Sequence, residues 1–299
     1  MAQVWVNGEI DIGVSPLDRG LAYGDGLFAT MRVNQGHILF LDEHMERLTQ
    51  GAFRLGFSWT PSAALYSHLT SLAQANPQSC IKLILSRGVG GRGYGVELNR
   101  VNQAFTQYDL SSAEKSGSKH ETTSNNSLDV TEVISLSVLP EHYQTWQQQG
   151  ICLARSEVLL GKQPKLAGIK HCNRLEQVLI KSAVLPHGYQ DWLVLDSSNN
   201  MIESSMANIF FVIEDKIVTP RISHAGVAGM MREQLIYQLL GTGFKVEITD
   251  IDYDKLSSVK HAFISNSLFG LVDVVAIDRF TFERAVWTSS LREQLSLTL

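Results

Sequence analysis

Lys165-Leu166-Ala167-Gly168-Ile169-Lys170-His171-Cys172-Asn173-Arg174-Leu175-Glu176 sets a lysine just ahead of a segment with helical character. Asn173 followed three residues later by Glu176 has the form of a capping box. A helix is therefore expected over residues 173–184, with Lys170 near its positive end. Such a field disfavours an ammonium, as burial does, and either leaves the neutral amine that a Schiff base requires. Position alone fits a solvated surface lysine better, so the reading turns on what the rest of the chain places around it.

Downstream, Met201-Ile202-Glu203-Ser204-Ser205-Met206-Ala207-Asn208-Ile209-Phe210-Phe211 puts Glu203 between the hairpin strands expected at 192–195 and 208–213. A carboxylate there can hold a pyridine nitrogen protonated, the condition that makes a pyridoxal ring an electron sink. His224-Ala225-Gly226-Val227-Ala228-Gly229-Met230-Met231-Arg232 leads from a glycine-rich turn into a helix over 230–240, and backbone N–H groups at such a start suit a phosphate. After a strand at 262–264, Ser265-Asn266-Ser267 offers hydroxyl and amide donors.

Upstream, Ser86-Arg87-Gly88-Val89-Gly90-Gly91-Arg92-Gly93-Tyr94-Gly95 joins two guanidinium groups to a freely bending backbone, a combination that can clamp carboxylates. The GK[ST] ending of a nucleotide-binding loop is absent. Met45, Leu48, Ala52 and Leu55 recur at helical spacing between an N-cap at Asp42 and a stop at Gly56, with Arg47 off that apolar face. A second helix is expected at 63–74. Strands are expected at 4–6, 27–33, 37–41, 81–86, 133–138, 151–155 and 216–219, the first ones arranged as a meander. Residues 140–149 read as a polar connector. Helices and strands do not alternate as regular βαβ units, so the expected class is α+β.

The chain has 299 residues, 44% hydrophobic and 18% charged, with a formal net charge of −5. That balance excludes a wholly disordered chain and gives no global basic field for nucleic acid or an anionic membrane. Cys80, Cys152 and Cys172 are scattered without a CxxC pair, so neither disulfides nor a metal site is indicated. No signal-like amino terminus or apolar run of spanning length is present, and a cytoplasmic protein is expected. The expected organisation is an N-terminal α+β domain at 1–140 with a mobile polar insertion at about 99–129, a connector at 141–149, and a C-terminal cofactor-binding domain at 150–299.

Taken in order, Tyr23-Gly24-Asp25-Gly26-Leu27-Phe28-Ala29-Thr30, the helix bearing Arg47, Lys170, Glu203 with Asn208, and Gly229-Met230-Met231-Arg232 resemble the landmarks of the fold type IV pyridoxal-phosphate enzymes. That group contains branched-chain aminotransferases, D-amino-acid transaminases and aminodeoxychorismate lyases. The resemblance covers nearly the whole chain. It implies a two-domain α+β architecture, pyridoxal 5′-phosphate as cofactor, and a homodimer. By it, Lys170 would carry the cofactor, Glu203 would meet the pyridine nitrogen, and Arg47, the backbone of Met230 and Met231, and Ser267 would bind phosphate. The transaminases have a tyrosine at the cofactor's phenolic oxygen where this chain has Leu175. Within the group, the Lys170 and Ser86-to-Tyr94 motifs together look like the aminodeoxychorismate lyases. Pyruvate would then leave 4-amino-4-deoxychorismate to give 4-aminobenzoate for folate synthesis. Thr30 would be a proton donor, and Arg87, Arg92 and Asn266 would meet the substrate. An aminotransferase, or a non-catalytic module that only holds the cofactor, is the competing expectation.

Overall fold

The computed structural model describes residues 3–10, 12–96 and 130–299, and the expected insertion at 99–129 lies outside the described residues. The first half forms β1 (Gln3–Val6), β2 (Glu9–Ile10), α1 (Arg19–Tyr23), β3 (Gly26–Asn34), β4 (His37–Ile38), α2 (Leu41–Arg54), α3 (Ala63–Ala75), β5 (Gln78–Ser86) and β6 (Thr131–Ser137). Its six strands run in the order β2-β1-β6-β5-β3-β4, all antiparallel. This is not the expected meander. β1 pairs with β6, through Trp5 and Ile134 among others, while β3 takes β5 along nine residue pairs from Gly26–Ser86 to Asn34–Gln78. The long, mostly buried β3 and β5 bury more apolar surface against each other than either could against the short, exposed β1.

Side chains alternate across β3, and this alternation positions the site. Leu27, Ala29, Met31 and Val33 face the helices, packing with Met45, Leu48 and Ala52 of α2 and with Ile81, Leu83 and Leu85 of β5. Fully burying an aliphatic side chain of this kind contributes roughly 1.5–3 kcal/mol. Phe28, Thr30 and Arg32 face the other way, toward the second half. There Arg32, 2% exposed, donates from Nη1 and Nη2 to the carbonyls of Leu297 and Thr298 at 2.8 and 2.7 Å. Helix α2 starts two residues earlier than expected. Its N-cap is Phe40, in the left-handed region at φ 56°, so the strand expected at 37–41 closes at Ile38 and Asp42 sits in the first turn.

The second half contains α4 (His142–Gln149), β7 (Ile151–Arg155), α5 (Leu175–Ser182), β8 (Asp191–Leu195), β9 (Met201–Ser204), β10 (Asn208–Ile213), β11 (Lys216–Pro220), α6 (Met230–Gly241), β12 (Lys245–Thr249), a 3₁₀ turn at Tyr253–Ser258, β13 (Val259–Asn266), β14 (Gly270–Ile277), β15 (Phe280–Thr281) and α7 (Trp287–Gln294). The polar stretch read as a connector is therefore mostly helix α4. It was hidden because one of its two buried residues is an amide: Gln147 donates to the carbonyls of Phe269 and Leu297, while Tyr143 packs edge-on against Phe269.

Nine strands form the second sheet, in the order β12-β11-β10-β13-β14-β7-β8-β9, with β15 on β14. A further pairing of β9 with β10 closes β7, β8, β9, β10, β13 and β14 into a ring. Ile151, Leu153, Leu193, Leu195, Ile209, Phe211, Ile264 and Val274 belong to its core. Parallel pairs (β7–β8, β7–β14, β11–β12) mix with antiparallel ones, and with the helices outside the sheets the class is α+β. Among the described residues no helix is long and apolar enough to cross a membrane, and no cluster of residues suits a metal ion.

Candidate active site

Residues 168–172 thread between the two halves and are gripped from both. On one side Phe28 N–H donates to Lys170 O at 3.1 Å and Cys172 N–H to Gly26 O at 2.8 Å; on the other, Gly168 N–H donates to Gly226 O and accepts at its carbonyl from Ala228 N–H. Gly168 sits at φ +82°, a conformation that a side chain rarely tolerates, and Arg54 of α2 reaches the carbonyls of Lys165 and Ala167 behind it. The lysine is thus placed by backbone contacts of high sequence separation. Local helix geometry does not place it. Asn173 and Glu176 do not form the expected capping box: the Asn173 amide donates to Gly24 O, and Glu176 accepts from Gly161 N–H. Helix α5 begins only at Leu175, without a side-chain cap.

Lys170 opens into a cavity of ≈ 290 Å³ lined by Phe28, Thr30, Arg47, Glu203, Asn208, Met230, Met231 and Ser267, among others. Its Nζ lies 4.6 Å from the centre of the Phe28 ring. Burial, then the positive charges of Arg47 and Arg174, lower its pKa to about 7 against the pull of Glu203. Of the two causes expected from sequence, burial is the one that acts, helped by like charge, with no capped helix supplying the field.

Glu203 lies within β9, directly opposite Asn208 on β10, which in turn pairs with Ser265 on β13, so the three side chains form one row across three strands. The buried Glu203 carboxylate accepts from Val227 N–H at 2.9 Å. Asn208 donates to Val227 O at 2.7 Å and accepts from Gly229 N–H at 3.1 Å, so the turn before α6 is pinned to the barrel by both residues. A Cβ on Gly229 would fall 2.3 Å from Asn208 Oδ1, which restricts this position to glycine. Burial raises the pKa of Glu203, offset by the Val227 N–H, Arg174, Lys170 and Gln177.

In the same cavity, Arg47 meets the start of α6. Its Nε is buried without a hydrogen-bond partner among the described residues, and burial pulls the guanidinium down to about 10 despite Glu233 nearby. Gly229, the N-cap of α6, makes no side-chain cap, which leaves the N–H groups of Met230 and Met231 at a helix start beside that arginine. Ser265 Oγ is buried and unpartnered as well.

The cavity therefore brings together Lys170, Thr30, Glu203, Arg47, Met230, Met231, Asn266 and Ser267. The two arginines expected at the substrate do not line this cavity. Arg87 is consumed by the carboxylate of Asp25 and the carbonyls of Leu55 and Gly56, so its guanidinium braces β5 against the end of α2. Arg92 is exposed on its loop. Asn266 lines the cavity but spends its amide oxygen on the N–H groups of Leu268 and Phe269 and one hydrogen on Met206 O, shaping the turn that presents Ser267. Phe28, Tyr143, Arg174 and Gln177 also line the cavity and were not singled out from sequence. Phe28 was recoverable as the residue two before Thr30 on a strand; Tyr143, inside an apparent connector, was not.

A buried carboxylate, a lysine with a lowered pKa and an unpaired arginine beside a helix start, gathered in one cavity, suit a phosphorylated pyridine aldehyde. The model for the class IV amino-transferases matches residues 26–277 of the chain. An aminodeoxychorismate lyase of Vibrio harveyi is 33% identical over 276 residues, 91% of this chain and 90% of that one. The crystal structure of a 4-amino-4-deoxychorismate lyase from Pseudomonas aeruginosa superposes with a TM-score of 0.82 at 33% identity, over 99% of this chain and 100% of that one. An Escherichia coli branched-chain amino acid aminotransferase shares the fold, with a TM-score of 0.73 at 20% identity over 99% and 94% of the two chains. The protein belongs to the class IV amino-transferase family, the fold type IV enzymes, and its cofactor is pyridoxal phosphate.

Proposed function

We propose that the protein is a lyase that cleaves 4-amino-4-deoxychorismate to 4-aminobenzoate and pyruvate, supplying folate synthesis. The observation that carries this reading is the 33% identity over nine-tenths of the chain to a protein named for that reaction, against 20% for an aminotransferase that shares the fold.

Arg47, the N–H groups of Met230 and Met231, and Ser267 would hold the cofactor's phosphate, and Glu203 would keep its ring nitrogen protonated. When bound, pyridoxal phosphate supplies the electron sink for a proton abstraction next to nitrogen. Lys170 would hold the cofactor until the substrate's amino group takes its place. Its freed amine, whose protonated form burial already disfavours, would be placed to take the proton from the ring carbon bearing that nitrogen. Thr30, on the cavity face of β3, donates toward the departing enolpyruvyl oxygen, and the ring becomes aromatic as pyruvate leaves. Asn266, which keeps one amide hydrogen uncommitted, is the group of the expected substrate set that lines the cavity and is left for the substrate's carboxylates.

Incubation of the purified protein with 4-amino-4-deoxychorismate and no keto acid is expected to release 4-aminobenzoate and pyruvate in equal amounts. Turnover that appears only when a keto acid is added would replace this reading with an aminotransferase. The same reading includes a homodimer. Leu175, Val178 and Leu179 leave an apolar face of α5 exposed, a few residues from Lys170, and an apolar face of that kind marks an association surface. Sedimentation is expected to give twice the 33.2 kDa of one chain; a single-chain mass at micromolar concentration would refute it.

A further inference from the structure

We propose that Arg174 is a positioning residue for Lys170, holding the peptide carbonyls on both sides of that lysine and keeping a fixed positive charge beside its amine. The guanidinium folds back along its own segment: Nε donates to His171 O at 2.9 Å and Nη2 to Ile169 O at 3.1 Å. Two carbonyls flanking one residue are thus tied to one rigid, planar group. Lysine, with a single ammonium on a flexible stem, cannot reproduce that fork. The grip completes the backbone clamp from β3 and the Gly226–Ala228 turn, because the carbonyls of Ile169 and His171 are not used by either of those partners.

The third nitrogen, Nη1, has no hydrogen-bond partner among the described residues, and the side chain lines the same cavity as Lys170. Both cationic groups lie against one ring: the Arg174 guanidinium carbon is 5.9 Å and Lys170 Nζ 4.6 Å from the centre of Phe28. The charged or titratable groups acting on Lys170 are Arg47 and His44 from α2, Lys82 from β5, Glu203 from β9 and Arg174 from the entry to α5. Arg174 alone among the cations also bonds the lysine's own backbone neighbours, so the lysine's place and its charge environment are set by one side chain.

The inference rests on Lys170 carrying the cofactor, and its decisive readout needs no substrate. In the holoenzyme the absorbance band of the lysine-linked cofactor is titrated against pH. Arg174→Met is expected to move the midpoint up by about half a pH unit or more, since loss of a nearby positive charge favours the protonated linkage. Arg174→Lys, which keeps the charge and loses the fork, is expected to hold the midpoint while lowering kcat about tenfold, with KM changed less than about threefold, because the reacting amine is no longer held in place. A midpoint unmoved in Arg174→Met, or parental kcat in Arg174→Lys, would overturn the proposal. Should thermal unfolding show that Arg174→Met does not fold, Arg174→Lys decides alone. Absence of any lysine-dependent band in the unaltered enzyme would bring down the assignment of Lys170 itself, a separate failure.

Discussion

Lys170→Ala should abolish turnover, lowering kcat by at least about 10³-fold, because on the proposed reading one side chain both carries the cofactor and moves the proton. The same variant should bind pyridoxal phosphate without a borohydride-trappable adduct. Retention of that adduct elsewhere on the chain would sink the assignment. The pH dependence of the unaltered protein gives a second check. With the amine at about 7, its neutral fraction rises with pH below that value and levels off above it. Attachment of pyridoxal phosphate to the cofactor-free protein should therefore accelerate about tenfold per unit below pH 7 and flatten beyond it. Stability follows the same linkage. The folded pKa lies below the ordinary 10.5, so between about 7 and 10.5 the unfolded chain binds more protons and stability of the cofactor-free protein climbs as pH rises. Below about 7 the full cost of a buried ammonium remains.

Glu203→Gln should be the next most damaging change. Glutamine has nearly the same shape and can still accept from Val227 N–H, so the turn into α6 should survive. It carries no negative charge to keep a ring nitrogen protonated. We expect kcat to fall on the order of 10²–10³-fold, the scale of losing a preorganised electrostatic partner, with KM within a few-fold of the parent. Burial raises the Glu203 pKa, so its ionised form is a destabilising presence in the empty protein, and the variant's melting temperature should be unchanged or higher. A kcat within about threefold of the parent would show that Glu203 serves only to brace Val227.

Much of the local structure was legible because it repeats at short range. The 3.6-residue spacing of Met45, Leu48 and Ala52 marks α2, and the apolar runs mark β7 and β10 with their observed limits. Where the reading failed, a side chain had been assigned a local partner and had a distant one. Asn173 and Glu176 have capping-box spacing, yet they bond Gly24 and Gly161. Arg87 has a carboxylate-binding group beside flexible glycines, yet the carboxylate it holds is the protein's own Asp25. Gln147 looks like solvent-facing connector and is buried, because its amide is satisfied by Phe269 and Leu297 more than 120 residues away.

The sequence by itself determined which chemical groups this protein owns and which short elements carry them: Lys170 two residues after a glycine, Glu203 before an apolar strand, Arg47 on an amphipathic helix, Met230 at a helix start. Local propensity and hydrophobic period act within a few residues, so they are written in the chain. Only the tertiary structure decided that these groups meet. The closure of β9 on β10 sets Glu203 beside Asn208, and the clamping of residues 168–172 between Phe28 and the Gly226–Ala228 turn brings Lys170 to them. Those contacts join residues separated by up to about 140 positions, and the loss of solvent they produce gives Lys170 its neutral amine, a property that no local pattern encodes.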